Sequence, residues 1–580
     1  MSIQRRKKRC QRKNAPDRRL CSHHGIHYPK ARTSYNITFN FIELEEFGLD
    51  DDLYVKMNAR GKPLTEFEIF KSALDKKMRK FDVSEMSKTD SKSFVVKLDG
   101  KWLDLFFSLS ESRFDELFLS FFIRTIEVSA LIGSDERDLF RKLELKRGQF
   151  SFDFYSKFIT PSLLSSIGKM LDALSSKWIS GGRFLPKNSM FDERQDFMTI
   201  VSGGGPNYTQ SVIVYAFLWY LASGQNVDGL SKWIRVVSNA AQNIFYHNEA
   251  VYLPSLKFVH SVLPQASDIE GYLSKQPVIK TSNEEIWEEE RQKAKLLIRD
   301  ESWRVLIERA EKYSEFAKGQ IGFLLKLSDI NPNEIDAWTD DINKQKQELF
   351  FDYLKKTEAI FGKNGLIHKR ETADLFRRAL LIFGDYLLKK SSNHSFLIHT
   401  DQRDISFKAL LRSNRIGIVK EFFKLLDSKK DFVAQMQAMV DTIKLADDWS
   451  QWFIKHPQII GQHCGQHNIR YNSSTDIIVL AKERMNADWY EYYTTALYYE
   501  ILGRLHPDTK AHLTPNSGDI WYFSFELKKE AKRLYIAYNR GKGNWRLSNK
   551  KHPKEKEGII DWLSDMDAVK QHLVDNAWIV

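Results

Sequence analysis

The chain contains very few cysteines: Cys10, Cys21 and Cys464 are the three present among 580 residues. A disulfide-stapled secreted fold needs a denser set, so this class is excluded. Long apolar runs are also missing, because the longest uninterrupted one, residues 212–222, has eleven residues, whereas a membrane-spanning helix needs about 20. The basic start of the chain lacks the apolar region of a secretory signal. These absences predict a cytoplasmic protein with no membrane partner.

An acidic surplus is missing as well, since 88 Lys and Arg outnumber 76 Asp and Glu and give a net charge of +12. Eleven of the basic residues but only Asp17 among the acids fall within residues 1–32, so the rest of the chain is nearly neutral at +2. The run Arg5, Arg6, Lys7, Lys8 and Arg9 would attract phosphates and release counterions. It predicts DNA as a partner of this arm, although a charged tail without a partner shows the same pattern.

The spacing that metal ligands require is not found. Cys10 and Cys21 are not a C-x2-C pair, and the nearby histidines do not complete a zinc site. His463 and His467 are four residues apart, but the Asn and His expected of a His-Asn-His nuclease do not follow them. We therefore predict no metal site and no cofactor, except for a divalent metal under the nuclease alternative given below.

The composition, with 42% hydrophobic and 28% charged residues, is typical of a soluble globular protein. The length predicts about three to four domains. We expect a basic disordered arm (1–34), a short folded segment (35–95), a helical domain (96–270), a second helical domain (283–443) and a C-terminal α+β region (444–580). The break between Gln265 and Asn283 is placed where helical patterning lapses and polar and proline residues collect.

Two local patterns introduce the short folded segment. The alternation of apolar and polar residues in Ile37–Phe41 is typical of a half-buried strand. Thr65 and Glu68 have the spacing of a capping box, which predicts the start of a helix. The apolar stripe expected on that helix consists of Phe67, Phe70, Leu74 and Met78.

The C-terminal region carries a helix pattern near Ala487–Leu502 and two aromatic-rich strand patterns, Ile520–Phe525 and Arg533–Tyr538, on either side of a charged turn. The sequence therefore predicts a β-hairpin in a small α+β region.

One pattern in this region is similar to a nuclease motif. Asp519, Glu526 and Lys528, with Glu500 as a helper, resemble the Asp and Glu-x-Lys of PD-(D/E)XK nucleases. In that chemistry two carboxylates hold a divalent metal at the scissile phosphate, and the lysine positions water or stabilises charge. Seven residues of extended strand would separate Asp519 from Glu526 by about 23 Å, too far to share one metal without a turn between them. An unrecognised nuclease is therefore kept as an alternative function.

A longer resemblance is centred on the short folded segment. The run Phe39–Lys71 resembles a motif near the end of the N-terminal domain of GmrSD-type restriction endonucleases. This motif comprises Asn58, Arg60, Gly61, Leu64 and Thr65. The resemblance implies an α/β ParB-like domain and a role in bacterial restriction and anti-phage defence. The Asp-Gly-Gln-Gln-Arg loop expected of that domain is not found, so segment 35–95 is interpreted as a remnant of it. Asn58 and Arg60 could have chemical roles, because arginine is a planar donor suited to phosphate and Gly61 allows close backbone approach. Asn58 and Gly61 are also typical of a local turn.

Further blocks extend the resemblance through the helical patterns that follow. They are Leu230–Asn239, Glu288–Ala294, Gly319–Leu325, Phe376–Leu381 and Asp404–Arg412. Because no solenoid period is evident, they predict a mainly α protein with a large irregular helical body.

Three functions follow from these patterns. The first is a truncated or non-catalytic relative of a defence protein. The second is an active enzyme, either the metal-dependent nuclease given above or a nucleotide hydrolase as the resemblance implies. The third is a helical module that binds nucleic acid or another defence-system protein.

Overall fold

A computed structural model describes residues 64–81, 88–134, 138–146, 150–187, 190–203, 207–277, 283–312, 318–390, 393–395, 405–442, 449–464, 468–480, 489–514, 525–529, 532–551 and 557–580. Several predicted features lie outside these residues: Arg5, Arg6, Lys7, Lys8, Arg9, the strand Ile37–Phe41, Asn58, Arg60, Gly61, His467 and Asp519.

The described chain is mostly helical, with a small β region of two sheets toward the C-terminus. The mainly α prediction with a small C-terminal β region is therefore confirmed. The α/β remnant expected for residues 35–95 lies largely outside the described residues. Among the described helices, none is both long enough and apolar enough to cross a bilayer.

The first helices surround an apolar core whose residues run from Phe67 to Ala294. They are α1 (Glu66–Met78), α2 (Lys88–Asp99), α3 (Lys101–Leu109), α4 (Phe114–Gly133), α5 (Leu139–Lys146), α6 (Phe152–Ser156), α7 (Pro161–Trp178), α8 (Glu193–Val201), α9 (Tyr208–Ser223), α10 (Leu230–Asn243), α11 (Glu249–Val262), α12 (Ile269–Lys275) and α13 (Glu284–Arg299).

Helix α1 begins at the predicted capping box. The Thr65 backbone N–H donates to Glu68 Oε2 at 2.8 Å, and the Glu68 backbone N–H donates to Thr65 Oγ1 at 3.2 Å. Each side chain thus satisfies a backbone donor that the first helical turn leaves free. All four residues of the predicted apolar stripe are buried, so this local prediction is confirmed.

Helix α9 contains the longest apolar run of the chain and is central to the first core. The side chains from Val212 to Leu218 are all buried. A helix that is apolar on every side requires partners all around it, and α9 packs against α7, α8, α10 and α11. It ends at Gly224, whose φ of 73° lies in the left-handed region that favours glycine. The apolar run is therefore a buried helix.

A second apolar core has residues that run from Leu296 to Ile579. Its helices are α14 (Trp303–Lys312), α15 (Gly322–Leu327), α16 (Asp340–Phe361), α17 (Arg370–Leu381), α18 (Ile405–Arg412), α19 (Ile416–Leu425), α20 (Phe432–Thr442), α21 (Gln451–Lys455), α22 (Tyr492–Leu502) and α23 (Met566–Asp575).

Two antiparallel sheets complete this part of the chain. The first has the order β1 to β5: β1 (Leu388–Lys390), β2 (Asn393–Ser395), β3 (Asn468–Ser473), β4 (Asp476–Leu480) and β5 (Trp489–Glu491). The second is an antiparallel meander in the order β6 to β10: β6 (Lys510–Leu513), β7 (Phe525–Lys529), β8 (Lys532–Asn539), β9 (Asn544–Ser548) and β10 (Ile559–Leu563).

The predicted hairpin is formed by β7 and β8. Strand β8 contains the predicted strand Arg533–Tyr538, and Phe525 on β7 pairs with Ile536. The first strand was expected to end at Phe525, but β7 continues to Lys529, so the assignment of residues 526–529 to the charged turn is wrong. Residues 520–524 lie outside the described part of the chain.

The lapse in helical structure predicted between Gln265 and Asn283 is wrong in part, because α12 lies inside this segment. Asp268 caps the helix by accepting a hydrogen bond from the Gly271 backbone N–H at 3.2 Å, and Ile269 and Leu273 are buried. Seven residues make too few turns for a helical period to be visible in the sequence. The domain boundary proposed there stays a prediction.

Helix α13 contributes to both apolar cores. Trp287 and Ala294 belong to the first core, whereas Leu296 and Leu297 belong to the second. The same helix carries buried charged residues between these positions. It therefore positions the first candidate site at the junction of the two cores.

Candidate functional sites in the helical body and the C-terminal sheet

Helix α10 places two polar side chains on one buried face. Arg235 and Asn239 are four residues apart, so both point in the same direction. Arg235 is 8% exposed, and its guanidinium donates to Glu311 Oε1 at 2.7 Å and to Glu270 Oε1 at 3.1 Å. Asn239 Nδ2 donates to the same Glu311 oxygen at 2.8 Å. The Glu311 carboxylate on α14 is thus held by two groups of α10.

Helix α13 contributes the ammonium group at the centre of this cluster. Lys293 is fully buried, and its Nζ lies 2.6 Å from Glu290 Oε1, 2.9 Å from Glu289 Oε1 and 3.2 Å from Glu311 Oε1. It also donates to the backbone carbonyl of Gly319. One side chain therefore joins α13, α14 and the segment that leads into α15.

Gly319 is required at its position for two reasons. Its φ of 82° lies in the left-handed region, where a side chain is unfavourable. A Cβ at this position would also overlap Asn239 Oδ1. The Gly319 backbone N–H donates to the Glu311 carbonyl at 3.1 Å, which fixes the segment against α14.

A fourth carboxylate, Glu270 on α12, completes the cluster. Arg304 NH1 donates to Glu270 Oε1 at 3.1 Å, Arg304 NH2 donates to Oε2 at 2.9 Å, and Lys232 Nζ lies 3.3 Å from Oε2. We name the set formed by Arg235, Asn239, Glu270, Glu289, Glu290, Lys293, Arg304 and Glu311 the buried ion cluster.

The charges of the cluster respond to burial in different ways. Burial raises the pKa of Glu270, but the hydrogen bond from Arg304 and the charge of Arg235 outweigh it and bring the pKa down to about 2. Burial raises the pKa of Glu290, and Lys293 and Arg235 offset this only in part. Burial lowers the pKa of Lys293, but the surrounding carboxylates outweigh this effect and raise the pKa above its usual value. The ammonium therefore stays charged.

The cluster brings together blocks that are far apart in the sequence. The block Leu230–Asn239 supplies Arg235 and Asn239. The block Glu288–Ala294 supplies the cluster residues Glu289, Glu290 and Lys293. The block that begins at Gly319 supplies the carbonyl that accepts from Lys293. These groups hold their helices in a fixed arrangement, because a buried charge is stable only while its partners remain in place.

The blocks on α17 and α18 also meet. Phe376 and Phe407 have ring centroids 5.8 Å apart, and Phe361 lies within 5.8 Å of both rings. These contacts account for their aromatic residues by core packing.

The nuclease alternative depends on β7, where Glu526 and Lys528 lie on one face. Lys528 Nζ is 3.6 Å from Glu526 Oε2, and Arg533 Nε is 3.4 Å from Glu526 Oε1. Tyr535 OH donates to the same Oε1 at 3.3 Å. The structure therefore brings the Glu and Lys of the predicted set together and surrounds the carboxylate with cations.

The predicted helper Glu500 has other partners. Lys455 Nζ is 2.6 Å and His456 Nε2 is 2.7 Å from Glu500 Oε1. Burial raises the pKa of Glu500, but the hydrogen bonds from His456 and Lys455 outweigh it and bring the pKa down to about 2. Glu500 is thus an ionised partner of α21.

His463 and Cys464 are part of the packing around α22. His463 Nε2 lies 2.7 Å from Tyr499 OH, and burial lowers the pKa of His463 to about 4. Burial also raises the pKa of the Cys464 thiol. Within the described part of the chain, no three His, Cys, Asp or Glu side chains form a group that could hold a metal ion.

Two residues of the motif that resembles the GmrSD-type one, Leu64 and Thr65, are described. Thr65 caps α1, and Leu64 is exposed in the preceding position. Their geometry gives a structural role for Thr65 and no chemical role for Leu64.

An open cleft of about 720 Å³ is lined by the end of β7, the start of β8, the residues that follow β9, one residue of β10, and the C-terminal segment that includes α23. Lys529, Lys532, Arg533 and Lys550 line it together with Trp578, and no acidic residue is among the described residues that line it. The hairpin register places Lys529 directly opposite Lys532. We name this feature the basic cleft.

Among the described residues, the positive charge of the basic cleft is compensated only in part. Arg533 faces Glu526 at 3.4 Å, and Lys550 Nζ is 2.5 Å from Glu557. Lys529 donates to the backbone carbonyl of Ala577 at 3.2 Å, a bond that leaves its charge intact. Lys532 is exposed on the turn side of β8. Sequence reasoning missed this site, because its residues come from several elements that are separate in the sequence.

Comparison of the chain with protein-family models, with curated proteins and with solved structures gives no match.

Proposed function

We propose that this protein binds nucleic acid through the basic cleft and acts, without cutting, in bacterial restriction or anti-phage defence. The observation that carries the binding proposal is the convergence of four cationic side chains on one cleft with no described acid in its lining. Support for the defence context comes from the GmrSD-type resemblance of the sequence blocks.

The chemistry of the cleft suits a phosphate backbone. Lysine binds a phosphate through the compact charge of its ammonium group. Arginine binds a phosphate through the planar set of N–H donors of its guanidinium group. Each phosphate neutralised on duplex DNA releases counterions and contributes about −0.9 to the slope of log affinity against log salt concentration. Occupation of Lys532 and Lys550 by phosphates would thus give a measurable part of the salt dependence.

The binding test compares two double variants of the full chain that lose equal charge. Lys532→Gln with Lys550→Gln removes two cleft charges, whereas Lys344→Gln with Lys363→Gln removes two exposed charges elsewhere. Fluorescence anisotropy with a labelled DNA duplex between 50 and 200 mM salt measures affinity and slope. We expect the cleft variant to bind more weakly, with a slope shallower by up to about 2, and the control to match the wild type.

A third variant, in which Arg5, Arg6, Lys7, Lys8 and Arg9 are all changed to Gln, separates the arm from the cleft. Loss of affinity in the arm variant alone, with the cleft variant unchanged, would assign DNA binding to the arm and contradict the cleft proposal.

A second candidate function is metal-dependent cleavage, which the proximity of Glu526 and Lys528 favours. Incubation of duplex DNA with the protein and Mg²⁺ tests it. We expect intact DNA, because Arg533 and Lys528 already engage the Glu526 carboxylate. Cleavage by the wild type that is lost in Glu526→Gln would replace the non-cutting proposal with the nuclease.

A further inference from the structure

A smaller cavity of about 190 Å³ lies beside the buried ion cluster, between α13, the start of α15 and α18. It is separate in sequence from the basic cleft, and the inference drawn from it does not rest on nucleic-acid binding. Most of its lining comes from three of the sequence blocks described above, Glu288–Ala294, Gly319–Leu325 and Asp404–Arg412, and Glu285 and Lys326 lie just outside them.

One wall of the cavity, formed by α13, is acidic and polar. Glu285, Glu289 and Gln292 recur at spacings of four and three residues, so they share a helical face. Glu289 accepts from the Ile321 backbone N–H at 2.6 Å, which orients its carboxylate. Glu285 is exposed and extends this wall outward.

The facing wall is cationic. Lys408 and Arg412 are four residues apart on α18, and Lys326 on α15 adds a third positive group. Gln320 contributes an amide, which can both donate and accept hydrogen bonds. The cavity therefore presents acceptors on one side and charged donors on the other.

The cavity is held in shape by the buried ion cluster. A Cβ at Gly322 would lie 2.6 Å from Glu289 Oε2, so the carboxylate packs directly against the backbone of the cavity wall. The buried ammonium of Lys293 forms an ion pair with Glu289 and donates a hydrogen bond to the Gly319 carbonyl. A wall fixed in this way binds a ligand with little loss of conformational freedom.

The volume limits the size of the ligand. A cavity of about 150 Å³ accommodates benzene, so a space of about 190 Å³ suits a molecule of about ten non-hydrogen atoms. A nucleotide is roughly twice that size. The opposite charges of the two walls favour a ligand with a positive and a negative end.

We propose that this cavity binds an amino-acid-sized zwitterion. Its carboxylate lies against Lys326, Lys408 and Arg412, and its ammonium lies against Glu285 and Glu289. The two glutamine amides at the cavity supply the remaining hydrogen bonds to the polar groups of the ligand.

The test is isothermal titration calorimetry of the full chain with each of the twenty common L-amino acids. We expect at least one to bind with a Kd below 1 mM. Its analogues without the amino group and without the carboxyl group should each bind at least tenfold more weakly. Absence of binding by all twenty, or equal binding by either analogue, would overturn the proposal.

Variants locate the site. Arg412→Gln and Glu285→Gln change exposed side chains of opposite walls, and each should weaken binding at least tenfold. Lys363→Gln and Glu348→Gln, matched in charge and exposed elsewhere, should leave the Kd unchanged. Amino-acid binding that neither cavity variant weakens, or binding confined to nucleoside monophosphates, would contradict the assignment.

Discussion

Replacing Lys293 by Met tests how strongly the buried ion cluster stabilises the helical body. Methionine keeps an unbranched side chain of similar length but removes the ammonium group. The ammonium lies within 3.2 Å of carboxylate oxygens of Glu289, Glu290 and Glu311. After its removal, Arg235 is the remaining cation of the cluster that contacts Glu311 directly.

The expected loss follows from leaving buried carboxylates without their cation. Breaking a buried ion pair by removing one partner costs about 3–5 kcal/mol of unfolding free energy. The loss of the bond to the Gly319 carbonyl adds to this cost, because the buried carbonyl loses a charged donor. We therefore expect Lys293→Met to lower the unfolding free energy by about 4 kcal/mol near pH 8.

The loss should depend on pH with a defined sign. Burial already raises the pKa of Glu290, and Lys293 opposes that rise, so the variant should raise it further. A carboxyl whose pKa is higher in the folded than in the unfolded state loses stability as the pH rises, because the folded state binds the proton more tightly. The difference between variant and wild type should therefore be smaller at pH 5 than at pH 8.

Urea unfolding, followed by tryptophan fluorescence and by far-ultraviolet circular dichroism, measures the effect, and coincident transitions justify a two-state treatment. Lys312→Met is the matched control, since its partner Glu308 forms a surface pair at 3.3 Å with both side chains more than a third exposed. Such pairs contribute well under about 1 kcal/mol. An equal, small loss in both variants, or a pH-independent loss in Lys293→Met, would refute this account of the cluster.

Further predictions concern single residues. Gly319→Ala should lower the unfolding free energy by about 2 kcal/mol or more, because strain at positive φ adds to the overlap with Asn239 Oδ1. Gly543→Ala, whose nearest non-neighbouring atoms are 3.7 Å away, should show only the strain of about 1–2 kcal/mol. Burial raises the pKa of Glu491 to about 7 from 4.5, so the folded state binds this proton more tightly than the unfolded state. The wild type should therefore lose stability relative to Glu491→Gln as the pH rises from 4.5 to 7. Parallel urea titrations of the two proteins check this sign. Thr65→Ala should cost about 1 kcal/mol and speed hydrogen exchange in α1; unchanged exchange there would contradict the capping role.

Local signals in the sequence predicted the elements that depend on local interactions. The capping box at Thr65 requires only a side chain three residues away, and the apolar run in α9 is long enough to indicate a buried helix without knowledge of its neighbours. The mainly α class follows from many such segments.

The buried ion cluster could not be predicted from its residues alone. Glu289, Glu290 and Lys293 at spacings of three and four residues have the pattern of a solvated helix face. Their burial depends on α10 and α14, which reach them from distant parts of the chain. The one signal available was the GmrSD-type resemblance of the blocks that contain them. That resemblance does not indicate which side chains contact each other.

The C-terminal sheets and the basic cleft were also largely missed. Strands β1, β2 and β5 have three residues each, too few for an alternating pattern to be visible. The cleft combines the ends of several strands with the C-terminal helix, so its charge surplus exists only after these elements pack together.

The central claim, that nucleic acid binds in the basic cleft, is tested most directly by hydrogen exchange of the full chain with and without saturating duplex DNA. The account predicts slower exchange in peptides that cover residues 529–534, 549–551 and 572–578. Unchanged exchange in all three segments, with DNA-dependent protection elsewhere, would contradict it.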